Sequence, residues 1–141
     1  MIPRKTFKIP KNIDPETNRI SGEVIDAAYK VHFALGPGLL ESVYEACLSH
    51  KIKQKGLKVE RQVTLPIVFE DFRLDDALKL DLVVERKVIV ELKAIENILP
   101  VHEAQLLTYL KLSGMELGLL INFNVPILKK GIKRIALSKP N

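Results

Sequence analysis

Apolar positions along the first third of the chain follow a helical period. From about Asn18 onward, Val24, Ala28, Val31 and Leu35 recur at intervals of four and three, which puts them on one stripe of a helix. Gly36-Pro37-Gly38 ends it, because glycine tolerates the left-handed backbone of a helix terminus and proline cannot continue the ladder. A second helix is expected from about Leu39 to Lys55, with Leu40, Tyr44, Cys47 and Leu48 on its buried side. Its basic last turn and Gly56 suit a C-terminus. Ahead of both helices, residues 1–17 contain Pro3, Pro10 and Pro15 with little periodicity and read as a loosely ordered arm.

The period then shortens to two. Val59, Arg61, Val63, Leu65 and Ile67 alternate with more polar neighbours, as in a half-buried strand. Pro66 has no N–H to give to a ladder, so this strand belongs at a sheet edge. Leu78 to Val84 and Val88 to Ala94 are two more strands, parted by Glu85-Arg86-Lys87. Pro100 opens a third helix with Leu106, Leu107 and Leu110 as its apolar positions, and Gly114 lies near its end. Leu117 to Phe123 reads as a buried strand, and Ile132 to Leu137 is a candidate for a short further one. The order is α-α-β-β-β-α-β. The strand–helix–strand step over 88–123 requires a parallel pair with a right-handed crossover. The expectation is therefore an α/β chain of α+β type, with a mixed four-stranded sheet flanked by helices and one domain over 18–141.

Composition narrows the class. The chain has 141 residues, 47% of them apolar, enough for one core and against wholesale disorder. No apolar run approaches the ~18–20 residues of a membrane span, so no membrane partner is expected. Met1 to Lys11 has basic residues without an apolar stretch behind them, unlike a secretory signal. Cys47 is the only cysteine, which fits the reducing cytoplasm. With 22 basic and 17 acidic residues the net charge is +5, suited to a polyanion but equally to an ordinary solvated surface. The basic residues gather as Lys51, Lys53, Lys55, Lys58 and Arg61, and again as Lys129, Lys130, Lys133 and Arg134.

The chemistry lies on the two middle strands. Val88-Ile89-Val90-Glu91-Leu92-Lys93-Ala94 is apolar except for Glu91 and Lys93, which are two apart and project together. Leu80-Asp81-Leu82-Val83-Val84 likewise carries one acid. Charges in apolar strands are costly unless paired or bound to a metal. Register decides whether the three groups can meet. A two-residue turn pairing Glu85 with Val88 sets Asp81 opposite Leu92, on the wrong face. A three-residue turn pairing Val84 with Val88 sets Asp81 opposite Glu91, and a shared site requires that arrangement or an equivalent bulge.

Asp81 followed by Glu91-Leu92-Lys93 resembles the D…ExK signature of the PD-(D/E)XK nuclease superfamily. Gly38-Leu39-Leu40-Glu41-Ser42-Val43-Tyr44 matches the fixed positions of its GxxExxY family, and Gln105 with Tyr109 resembles the QxxxY element of related nucleases. Leu80 stands where the superfamily name has proline. The resemblance covers about residues 20–137. It implies a restriction-endonuclease-like core and a divalent-metal-dependent nuclease acting on DNA or RNA. In that reading Asp81 and Glu91 hold the cation, with the Leu92 backbone carbonyl and Glu41 as further ligands. Mg²⁺ suits such hard oxygen donors, with Mn²⁺ as a substitute. Lys93 orients the attacking water or offsets developing charge, and Gln105 positions substrate or water.

Simpler roles compete at several positions. Glu91 and Lys93 can form a structural ion pair, and Glu41 can be a favourable acid in a first helical turn. Tyr44 and Tyr109 suit the core, and His102 a helix start. Cys47 and His50 share a helix without a third group to make a nucleophile, and the histidines lack zinc-ligand spacing. A nucleic-acid-binding module that does not cut, and a protein-interaction subunit, are the alternatives to a nuclease. So small a domain covers little of a duplex, so a homodimer or a larger protein partner is also expected.

Overall fold

The computed structural model describes residues 13–137, and the expected arm over 1–17 falls largely outside that range. Its last residues are helical: α1 spans Pro15–Leu35, beginning ahead of Asn18. The Asp14 carboxylate accepts bonds from the Thr17 amide and hydroxyl at 3.3 and 3.2 Å, and Pro15 occupies a first-turn position where its missing N–H costs nothing. The helix stops at Gly36, whose φ of 69° is left-handed. Helix α2 runs Glu41–Gln54. Leu40, expected on its buried side, is 74% exposed, because it lies ahead of the first helical turn rather than within it.

Strands β1 (Val59–Phe69), β2 (Phe72–Val84) and β3 (Val88–Lys93) follow, then α3 (Pro100–Ser113), β4 (Leu117–Asn122), a 3₁₀ turn at Leu128–Gly131 and β5 (Ile132–Ala136). The sheet thus has five strands, not four, in the order β1-β2-β3-β4-β5. The extra member is the short segment at Ile132, antiparallel to β4, where Ile135 and Ala136 bury their side chains. β3 and β4 are parallel, joined through α3, and the remaining neighbours are antiparallel. β1 is an edge strand, which leaves the missing N–H of Pro66 without consequence.

Both faces of the sheet are covered. Leu82, Val84, Val88, Val90, Leu92, Leu119 and Ile121 pack under α1 and α2 with Ile20, Val24, Tyr44 and Leu48. Val83, Ile89 and Leu120 face the other way, against Leu106, Leu107 and Leu110 of α3. Gly118 permits that contact, since a Cβ there would sit 2.8 Å from the Leu106 side chain. The β1–β2 hairpin is longer than the alternation of its apolar residues suggested. β2 pairs with β3 only through Leu82, Val83 and Val84, so the hairpin beyond them runs on past the sheet. Its register shifts between Leu65 and Ile67, where β2 carries Asp76 at a φ of 54°.

Candidate metal centre

The turn between β2 and β3 sets the register. Glu85 and Arg86 both adopt left-handed backbone, at φ 53° and 55°, and the Lys87 amide donates to the Val84 carbonyl at 3.0 Å. Val84 pairs with Val88, Val83 with Ile89 and Leu82 with Val90. This is the three-residue connection, which brings Asp81 beside Glu91. There the main-chain ladder stops and carboxylates take over its bonds. The Leu92 amide donates to Asp81 Oδ2 at 2.9 Å, and the Asp81 amide donates to Glu91 Oε2 at 3.3 Å.

The local backbone is irregular for a reason. Leu82 packs on the α1–α2 side but Leu80 on the α3 side, so the in–out alternation of β2 slips at Asp81. Opposite it in β1, Gln62 has a φ of 52°, and its side-chain amide donates to Glu45 of α2 at 2.6 Å. Arg61 forms an ion pair with the same carboxylate at 3.1 Å. Glu45, almost buried, therefore pins the distorted stretch of β1 that faces Asp81.

Glu91 is 6% exposed, and its Oε1 has no hydrogen-bond partner. Burial pushes its pKa up to about 9, and the neighbouring Asp81 carboxyl adds to the shift through a hydrogen bond and its charge. The Asp81 amide and Lys93 oppose the shift without overcoming it. Glu91 and Lys93 form no ion pair among those of the described residues. Tyr109, buried on α3, has its phenol raised by burial and by the charges of Glu91 and Asp81, so it borders the same site. Glu41 begins α2 with its side chain largely in solvent. Its carboxyl is still raised, first by partial desolvation, with Asp81 adding to the rise and Lys93 and the Ala94 amide opposing it. Gln105 lies one turn before Tyr109 on the exposed side of α3.

A buried carboxylate oxygen without a partner, next to a second carboxylate, fits a hard cation better than it fits an unloaded fold. The side-chain donors are these two acids: no group of three or more His, Cys, Asp or Glu side chains converges for a metal among the described residues. Glu41 is close enough to feel their charge without joining such a group.

Two supports escaped the sequence reading. Asn122, 2% exposed, pairs in register with Lys93. Its Oδ1 accepts from the Ile95 and Asn124 amides at 3.1 and 3.2 Å, and its Nδ2 donates to the Ile95 carbonyl at 2.9 Å. It therefore fixes the chain just after Lys93. A single amide inside the apolar run Leu117 to Phe123 was its signal. Tyr44 stacks on Phe123 at 4.5 Å, and its hydroxyl donates to the Gly36 carbonyl at 2.6 Å while accepting from the Leu39 amide at 3.1 Å. It clamps the Gly36-Pro37-Gly38 loop ahead of Glu41. His102 has a structural role, since its Nδ1 accepts the Leu99 amide at 2.9 Å at the start of α3.

The profile of the PD-(D/E)XK nuclease superfamily matches residues 18–135, from the first turn of α1 through most of β5, and includes the paired acids. The chain belongs to the PD-(D/E)XK nuclease superfamily. No curated protein and no solved structure matches it. As a PD-(D/E)XK domain it has the restriction-endonuclease-like α+β core, here with β5 added at the sheet edge beyond β4. Members of this superfamily are usually hydrolytic nucleases and typically use divalent metals, and the family thus points to nuclease-type function. No helix among the described residues is long and apolar enough to cross a membrane.

Proposed function

We propose that this PD-(D/E)XK domain, of the GxxExxY kind, is a Mg²⁺-dependent nuclease that hydrolyses phosphodiester bonds in DNA or RNA, with Mn²⁺ as a substitute. The observation that carries the proposal is the partnerless, buried Glu91 Oε1 set against Asp81. Asp81 and Glu91 would hold the cation, the Leu92 carbonyl would supply a further hard oxygen, and Glu41, outside their convergence, would act through water on the cation. When bound, such a cation polarises the phosphoryl oxygen and acidifies water.

The chain's own groups do the rest. Lys93, half-buried and directed to the same side as Glu91, carries a positive charge that orients the attacking water or offsets charge developing on the phosphate. Gln105 lies on the exposed side of α3, able to position substrate or water. Tyr109 borders the acids from α3, close enough to feel their charge. The free surface cations attract the polyanion: Lys51, Lys53, Lys58, Lys129 and Lys130 form no ion pair among the described residues, whereas Lys55 and Arg61 are committed to acids. A cytoplasmic setting accords with this reading, given the lone, half-buried Cys47.

The test is a cleavage assay on plasmid DNA and on single-stranded RNA. Cutting is expected with Mg²⁺, absent with EDTA, and absent in Glu91→Ala and Lys93→Ala proteins that still fold. Binding without cutting, over several metals and substrates, makes the chain a recognition module instead. Neither binding nor cutting makes it an interaction subunit.

A further inference from the structure

The part of the β1–β2 hairpin that runs past the sheet ends in an apolar face that none of the described residues covers. Phe69 faces Phe72 across the turn and Ile67 faces Leu74, so these four side chains share one side of the hairpin. Phe69 is 67% exposed, Phe72 64% and Leu74 48%. Single exposed apolar residues need no explanation, but a contiguous aromatic and aliphatic face on a projecting hairpin marks a contact surface. Its charge selects the partner. Glu70 and Asp71 form the turn next to the face, and Asp75 and Asp76 follow on the same hairpin, against Arg73 alone, which is already paired with Asp75 at 2.7 Å. The tip is thus −3, and it repels phosphate backbones. The whole chain is +5, so everything outside the tip sums to +8.

A matching surface lies elsewhere on the same chain. Between α1 and α2 a groove of about 270 Å³ has Val31, Ala34, Leu35 and Cys47 as its apolar lining, and beside them lie His50, Lys51, unpaired among the described residues, and Lys30, which Asp26 holds at 3.1 Å. The groove is apolar with a basic rim, and the tip is apolar with an acidic rim.

We propose that the hairpin tip of one copy docks in the α1–α2 groove of a second copy, with Phe69 and Phe72 as anchors and Glu70 and Asp71 facing Lys30 and Lys51. Two such contacts close on each other in a two-fold dimer, or link copies head to tail. Neither surface contains a residue of the acid site, and Lys51 is the one group shared with the cations that attract the polyanion in the nuclease reading.

Sedimentation of the full chain at high micromolar concentration tests it. The wild type is expected to self-associate, less so as salt rises. Phe69→Ser with Phe72→Ser, both at exposed positions, is expected to weaken association about tenfold or more. The decisive arm is a charge exchange. Glu70→Lys with Asp71→Lys in one protein, and Lys30→Glu with Lys51→Glu in another, each set like charges together and leave each protein alone a monomer. Mixing the two restores opposite charges at every tip–groove contact, and a mixed complex is expected. Circular dichroism confirms that each variant folds. A monomeric wild type, association that survives the serine changes, or mixed variants that stay apart would each overturn the proposal.

Discussion

Replacing Glu91 with glutamine should make the metal-free protein more stable, and increasingly so as pH rises. The carboxyl titrates at 4.5 when unperturbed and at about 9 in the fold. Between those limits the native state keeps a proton that the unfolded chain has released. The unfolded chain then binds fewer protons, so unfolding becomes easier as pH rises, by about 1.4 kcal/mol per unit. At pH 7.5, three units above the unperturbed value, the accumulated cost is about 4 kcal/mol. Glutamine carries no ionisable proton, and its amide can donate to Asp81, so the variant escapes this cost. The assay is urea unfolding of both proteins in chelator, in steps from pH 5 to pH 8.5. The stability difference should be small at the acid end and widen to about 4 kcal/mol near pH 7.5. Mg²⁺ should then rescue the wild type and not the variant, because the cation takes the ionised pair. A difference that stays flat across the pH range would show that Glu91 is not held protonated, and the pairing of two acids would then no longer point to a cation between them.

Lys93→Met should lower the cleavage rate by about 10²–10³ while Mg²⁺ binding, followed by calorimetry, persists; unchanged turnover would remove Lys93 from the chemistry. Tyr44→Phe keeps the stack on Phe123 but loses the hydroxyl bonds to Gly36 and Leu39. It should cost about 1–3 kcal/mol in urea unfolding, and a neutral result would mean the loop does not depend on that clamp. Asn122→Leu strands the Ile95 amide and carbonyl and the Asn124 amide, and should cost at least about 2 kcal/mol. It should also reduce cleavage by misplacing Lys93, and full activity in a folded variant would refute that link. Gly131→Ala drives a methyl into the Asn122 carbonyl oxygen, where backbone cannot give way. A loss above about 2 kcal/mol is expected from the melting curve, and wild-type stability would rule out that close approach.

Individual elements differ in how well the sequence exposed them. α3 was clear at both ends, from Pro100 to the left-handed Gly114, because cap chemistry is local. The β3 stretch announced itself through two charges in an apolar run, and the edge position of β1 through Pro66. The hairpin beyond Ile67, up to Leu78, was not legible. Its residues alternate poorly because no core lies beneath them, and what holds them together is the partner strand, which periodicity cannot see. β5 was faint for a similar reason, being short and buried at only its last two positions. Tyr44, which reads as core, does pack there, yet its hydroxyl fastens a loop eight residues back, a contact set by helix packing rather than spacing.

Periodicity, caps and residue type were enough for the order of the elements through β4 and for the parallel β3–β4 step, and they singled out the residues proposed here to carry metal chemistry. Whether Asp81 met Glu91 was open between two registers. The tertiary structure decided it through the left-handed pair Glu85 and Arg86 and the slip in β2, and it alone showed a carboxylate oxygen buried without a partner. Register and burial depend on which strands and helices close over a residue, and no local pattern encodes that.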